Sequence, residues 1–157
     1  MVVALAKLYM QAGQQQEMTR HLNAAFKIDP NCPQANYVMG HLLVQRRDYT
    51  NAADRYRRCL EEEPDNFRAQ SDLALVLGLM GKLPESVEQF SSALKLNPRG
   101  SLTHANLGKV YAIQGKLREA RTEIETALRL DPDQPIARGA LKSLEMIEKR
   151  QRPPATP

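Results

Sequence analysis

The stretch SLTHANLGKVYAIQGKLREARTEIETALRLDP, residues 101–132, decides the fold. It ends at Pro132, and Pro30, Pro64 and Pro98 precede that proline at intervals of 34 residues. A fixed period of this length is typical of proteins built from stacked helical repeats. The period predicts repeats at about residues 1–32, 33–66, 67–100 and 101–134.

Residue size also recurs when the four prolines are placed at position 32 of a 34-residue unit. Apolar residues spaced by three and four predict two helices in each unit. Small residues opposite large ones allow those helices to pack closely. The small residues are Ala6, Gly40, Ala74 and Gly108 at position 8 and Ala25, Cys59, Ala93 and Ala127 at position 27, and the large ones at position 24 are Leu22, Tyr56, Phe90 and Ile124.

Turn residues separate the predicted helices. Glycine at position 15 (Gly13, Gly81 and Gly115) ends the first helix of three units, and Arg47 at that position indicates a less relaxed turn. Asn31, Asp65, Ser101 and Asp133 are expected to cap the helices that follow the prolines. The predicted helices span residues 1–12, 16–28, 34–46, 49–62, 67–80, 84–96, 101–114 and 118–130.

Together, these features resemble the tetratricopeptide repeat family over residues 1–132. The resemblance implies an all-α fold, a right-handed α-solenoid or superhelix of stacked helix-turn-helix repeats. Residues 135–150 begin like a fifth first helix but carry Lys142 and Glu145 where the repeat has apolar groups. They are therefore expected to form a C-terminal capping helix on a single domain of residues 1–150. The proline-rich residues 151–157 are expected to be a disordered tail.

Composition favours an ordinary soluble chain. The net charge is +4, with 22 basic residues scattered among 18 acidic ones, so no nucleic-acid footprint is expected. No segment is apolar for long enough to predict membrane insertion, and the apolar start at Val2 to Leu8 is interpreted as a mature helix because Lys7 interrupts it. Cys32 and Cys59 are expected to be free thiols, which fits a cytoplasmic location and leaves a periplasmic one open.

Catalytic and metal-binding patterns do not emerge from the sequence. The three histidines, His21, His41 and His104, lie apart without metal-ligand spacing. The glycines fall between helices and form no phosphate-binding loop. We expect a protein without enzymatic activity, cofactor or bound metal.

Function is implied by the resemblance. In the tetratricopeptide family, positions 2, 5, 6, 9 and 13 of the first helices line a concave groove that binds a peptide or partner protein. The chain is then an adaptor or scaffold, and spacings of three and four place these positions on one stripe of each helix. The predicted partner-binding residues are Lys7, Tyr37, His41, Arg68, Ser71, Leu75, Asn106 and Lys109.

Other functions stay open at this point. The apolar residues of the N-terminal helix have no preceding repeat to cover them, so the chain could be a structural unit that forms homo-oligomers through this helix. It could also be a fragment of a longer repeat array. Binding of chaperone C-terminal tails is disfavoured because Asp72 occupies a position where such family members carry arginine.

Overall fold

The computed structural model describes residues 14–151, and this part of the chain is α-helical, with no strand. The predicted helix 1–12 lies outside the described residues, as does the predicted tail 151–157 apart from Gln151, which ends the last helix. Each remaining predicted helix is present, with bounds within one residue of those expected. The helices are α1 (Gln15–Ile28), α2 (Pro33–Gln45), α3 (Tyr49–Glu62), α4 (Phe67–Leu79), α5 (Leu83–Leu96), α6 (Ser101–Ile113), α7 (Leu117–Leu130) and α8 (Pro135–Gln151).

The chain divides into two compact units. Unit 1 is Met1–Lys82, whose described part contains α1 to α4, and unit 2 is Leu83–Pro157, which contains α5 to α8. The large residues at position 24 are fully buried in both units, as the repeat pattern predicts. They are Leu22 and Tyr56 in unit 1 and Phe90 and Ile124 in unit 2.

Glycine at position 8 sets the distance between the two helices of a repeat. A Cβ atom added to Gly40 would lie 2.5 Å from a ring carbon of Tyr56. A Cβ atom added to Gly108 would lie 2.7 Å from Cγ1 of Ile124 and 3.1 Å from the carbonyl oxygen of Ala120. Because real Cβ atoms keep larger separations, helices α2 and α3, and likewise α6 and α7, pack this closely only with glycine at these sites.

The turns after the first helices adopt one geometry in spite of their different residues. Gly81 and Gly115 have φ angles of +77° and +75°, and Arg47 has a φ angle of +59° at the same position. The amide of the following residue, Asp48 in the second repeat, donates to the carbonyl oxygen of Leu43 at 2.9 Å. This bond closes the helix end, and a non-glycine residue there carries a steric cost, as the sequence predicted.

The predicted helix caps are wrong by one residue. α2 is capped at Cys32, α4 at Asn66 and α6 at Gly100, instead of at Asn31, Asp65 and Ser101. Before α8, the side chain of Gln134 accepts from the amide of Ala137, so Asp133 is not the cap.

The cause is the acidic or amide residue at position 31, next to the proline. Its side chain accepts from the amide two residues later, as Asp29 does from Asn31 and Asp131 does from Asp133. Before α2 and α8 this local bond extends the turn, so their caps lie one residue later than expected, whereas the cap of α6 lies one residue earlier, at Gly100.

Candidate functional site

Two of the predicted site residues of unit 1 contact each other and Asp72. The hydroxyl of Tyr37 on α2 donates to Oδ2 of Asp72 on α4 at 2.9 Å. Nε2 of His41 lies 3.2 Å from the same oxygen. The rings of Tyr37 and His41 meet edge to face, with centroids 4.7 Å apart. This cluster of Tyr37, His41 and Asp72 therefore ties α2 to α4.

Burial keeps the phenols beside this cluster neutral. Desolvation raises the pKa of Tyr37 well above its ordinary value, and the negative charge and hydrogen bond of Asp72 raise it further. Desolvation and the charge of Asp72 likewise raise the pKa of Tyr56. Tyr37 is thus a hydrogen-bond donor at any physiological pH, and Asp72 accepts this hydrogen bond.

The other predicted residues of unit 1 differ in exposure. Arg68 is exposed, and its guanidinium carbon lies 5.8 Å from the centre of the Phe67 ring. Ser71 and Leu75 are half-buried on α4. Lys7 lies outside the described residues.

In unit 2, one of the two predicted residues is buried and the other is exposed. The side chain of Asn106 on α6 is only 6% exposed, so it belongs to the packed core of unit 2. Lys109, one turn later, is exposed and lies at the wall of a groove between α6 and α8. This α6–α8 groove has a volume of about 470 Å³, and its lining consists of Lys109, Ala112, Ile113, Pro135, Ile136, Gly139, Ala140, Ser143, Leu144 and Ile147.

The α6–α8 groove is apolar and open to solvent. Ile113 is 68% exposed and Ile147 is 37% exposed, which is unusual for large aliphatic side chains. Among the described residues that line the groove, the only charged one is Lys109. The hydroxyl of Ser143 already donates to the carbonyl oxygen of Gly139 at 3.1 Å, so the groove offers few free polar groups.

Sequence reasoning missed the contribution of α8. It treated this helix as a cap, and the exposed Lys142 and Glu145 agree with a polar face. Yet all five stripe positions of α8 line the groove. They are Ile136 at position 2, Gly139 at position 5, Ala140 at position 6, Ser143 at position 9 and Ile147 at position 13.

A signal for this surface was available in the repeat alignment. Position 13 belongs to the family stripe, but the predicted partner-binding residues include no position-13 residue of the third and fourth repeats. Those residues are Leu79, which is 53% exposed, and Ile113. Extending the same alignment to residues 135–150 would have found the remaining wall.

Other kinds of site have little support in residues 14–151. No group of three or more His, Cys, Asp or Glu residues in this part could hold a metal ion. Among these helices, none has the length and apolar character that would let it cross a membrane. Both cysteines are free, as predicted.

Comparison with known proteins agrees with this architecture. Residues 33–133 match the family described as the TT21 fifth ARM repeats domain, and residues 1–32 match the tetratricopeptide repeat. Tetratricopeptide repeat protein 21B of Xenopus laevis is 29% identical over 98 residues, and protein 21A of Mus musculus is 30% identical over 98 residues. Each alignment covers 62% of this chain, but the chain spans only 8% of the length of either relative.

Solved structures support the fold independently of sequence. The crystal structure of the APC/C hetero-tetramer Cut9–Hcn1 superposes with a TM-score of 0.84 over 91% of this chain and 29% of that one, at 16% identity. The fold class is therefore that of all-α helical repeat proteins. The chain belongs to the tetratricopeptide repeat proteins, and its residues 33–133 belong to the TT21 fifth ARM repeats domain family. Repeat folds of this kind typically serve as protein-interaction scaffolds, and none of these matches names an enzyme family.

Proposed function

We propose that the chain is a non-catalytic protein-binding module whose main binding surface is the α6–α8 groove. The observation that carries this proposal is the open apolar lining, with Ile113 and Ile147 exposed beside Lys109. Large apolar residues gathered in a concave surface mark interaction sites in soluble proteins. A partner peptide or protein would cover them.

Energetics support a partner at this surface. Each square ångström of apolar area removed from water contributes about 25 cal/mol, so covering two isoleucines and the neighbouring small residues is favourable. A groove volume of about 470 Å³ falls within the roughly 300–1,000 Å³ typical of small-molecule pockets. The groove can therefore hold side chains of a partner as anchors.

The predicted residues of unit 1 have a smaller part in this proposal. Tyr37 and His41 already contact the carboxylate of Asp72. A partner that binds at this cluster must therefore compete with those contacts. Arg68, Ser71 and Leu75 give the α2 and α4 surface a mixed polar character that suits peripheral contacts. Asn106 is assigned a packing role because it is buried.

The alternative functions receive less support. The proposed homo-oligomer through the N-terminal helix involves residues outside the described part of the chain. Nucleic-acid binding would require a row of cations, and the described lining of the groove contains a single one, Lys109.

Selection of ligands from a display library of random 16-residue peptides tests the proposal. We expect ligands whose affinity falls at least tenfold in Ile113→Asp. The matched control is Ile28→Asp on α1, because Ile28 is 78% exposed and lies outside unit 2. Failure to select any ligand, or ligands equally weakened by both changes, would contradict the proposal.

A further inference from the structure

We propose that unit 1 binds a doubly charged anion of the phosphate class between Arg55 and Arg58 of α3. This α3 arginine site is distinct from the α6–α8 groove, because the groove belongs to unit 2 and is apolar. The inference depends on how Arg55 is held, on its distance along the helix from Arg58, and on how the carboxylates of unit 1 are used.

Arg55 is held in place by residues of two other helices. Its Nη1 donates to Oδ1 of Asn36 on α2 at 3.2 Å. Asn36 is completely buried, and its Nδ2 donates to the carbonyl oxygen of Cys32 at 3.1 Å, so its amide oxygen has to face Arg55. The guanidinium carbon of Arg55 lies 4.9 Å from the centre of the Phe26 ring, in the last turn of α1. These contacts use one N–H group and one face of the guanidinium, which leaves its other N–H groups for a ligand.

A second cation lies beside this fixed guanidinium. Arg58 follows Arg55 by three residues on α3, a spacing that places side chains on the same face with Cβ atoms about 5–6 Å apart. Burial lowers the pKa of the Arg55 guanidinium, and the charge of Arg58 lowers it further. Because Arg58 is exposed, its side chain can turn towards a ligand that Arg55 holds. An anion between the two would convert their repulsion into attraction.

The carboxylates of the chain leave the two arginines without a counter-charge. Asp54, the neighbour of Arg55 in sequence, pairs instead with Arg57 at 2.8 Å. No carboxylate of residues 14–151 forms an ion pair with either arginine of the site. The rest of the chain contains no Asp or Glu. A half-buried charge without a partner is costly, so a ligand that supplies the missing charge is favoured.

The charge and the donors of the site indicate the class of ligand. Two guanidinium groups supply two positive charges, and a phosphate monoester carries about −1.5 to −2 at neutral pH. Arginine pairs with phosphate through two parallel N–H bonds, and a phosphate has further oxygen atoms for a second arginine. A single carboxylate would neutralise only one of the two charges. Inorganic phosphate and a phosphorylated side chain share the required chemistry.

A titration with inorganic phosphate tests the site. The whole 157-residue chain is labelled with nitrogen-15 in its arginines, and chloride is exchanged for phosphate at a constant ionic strength of about 0.15 M. We expect saturable shifts of the Nε–Hε signals of Arg55 and Arg58. Acetate should bind at least about tenfold more weakly than phosphate, because it carries a single charge.

Variants distinguish this pair of arginines from the general positive charge of α3. Arg55→Gln and Arg58→Gln should each weaken phosphate binding at least about tenfold, because each removes charge-assisted hydrogen bonds. Arg58 is exposed, so its variant should fold normally even if Arg55→Gln does not. Arg57→Gln is the matched control: it makes the same change in net charge on the same helix, but at a residue paired with Asp54. Its effect on affinity should be less than about twofold.

Comparison of inorganic phosphate with N-acetyl-phosphoserine amide identifies the source of the anion. Tighter binding of the phosphoserine compound would assign the site to a phosphorylated partner, and otherwise the site is one for free phosphate. Two results would overturn the proposal. The first is the absence of saturable shifts at Arg55 and Arg58. The second is equal weakening of phosphate binding by Arg57→Gln and Arg58→Gln, which would show that only the overall charge attracts the anion.

Discussion

In unit 1, positions 5 and 9 of α2 and position 6 of α4 carry Tyr37, His41 and Asp72, whose polar groups satisfy one another. In unit 2, positions 5, 6 and 9 of α8 carry Gly139, Ala140 and Ser143, which leave an apolar groove open to solvent. The repeat thus determines where a surface lies, and the side chains determine whether it is closed or available. This difference is why we assign the main binding role to unit 2.

The largest expected effect concerns the closed interior of unit 1. Burial raises the pKa of the Cys59 thiol to about 11, with Glu63 adding to the shift. Because only the thiolate reacts, Cys59 should be alkylated at least about a hundredfold more slowly at pH 8 than in the unfolded chain. Its rate should rise with pH until about pH 11.

The half-exposed Cys32 provides an internal reference for this measurement. Mass spectrometry after timed iodoacetamide treatment separates the two cysteines. Equal rates at Cys32 and Cys59 would show that unit 1 is open around α3.

The next largest effect tests packing in each unit separately. Gly40→Leu and Gly108→Leu should each lower the free energy of unfolding by about 1–3 kcal/mol, because a side chain would overlap Tyr56 or Ile124. Urea denaturation measures the change. Gly139→Ala is the control: its added methyl group meets no neighbour, so it should stabilise by about 0.5–1 kcal/mol. Unchanged stability in both leucine variants would contradict the close approach of the helices.

A smaller effect distinguishes the polar cluster from a binding site. Tyr37→Phe removes the donor to Asp72 and should cost about 1 kcal/mol of stability. It should leave affinity for a groove-binding peptide unchanged. The matched change Tyr111→Phe in unit 2 should have little effect, because that ring contacts Lys116 through its face. If the Tyr37→Phe variant lost affinity for the peptide, the binding surface would have to include Tyr37 of unit 1.

The smallest effect concerns the turn in which unit 1 departs from the repeat. Arg47→Gly should raise the free energy of unfolding by about 0.5–1 kcal/mol, because glycine adopts the φ angle of +59° without steric cost. Gly81→Ala, the reverse change at the equivalent position, should destabilise by a similar amount. A destabilised Arg47→Gly variant would indicate that the arginine side chain contributes contacts that outweigh the backbone strain.

Much of the fold was predictable because the repeat presents each packing position several times. The recurrence of Gly40 and Gly108 opposite Tyr56 and Ile124 specified the helix pairs and their close contacts. The caps were not predictable to the residue, since Asp29 and Asp131 extend their turns through local bonds that the repeat pattern does not record.

The candidate site was less predictable than the fold. The stripe positions follow from the repeat, but contacts between helices decide which of them are free. Tyr37 and Asp72 are 35 residues apart, so their bond depends on how α2 and α4 pack. The repeat alignment places Ile113 and Ile147 at stripe position 13, but their exposure depends on how the helices pack, and the polar face of α8 predicted only a cap.

The central claim is that a partner peptide or protein binds in the α6–α8 groove, and methyl NMR tests it most directly. The chain contains isoleucine at positions 28, 113, 124, 136 and 147 only, so an isoleucine-labelled sample gives five δ1-methyl signals. On addition of the selected peptide, we predict large shifts for Ile113, Ile136 and Ile147, with small ones for buried Ile124 and for Ile28, which belongs to unit 1. Binding without shifts at Ile113, Ile136 and Ile147 would contradict the account.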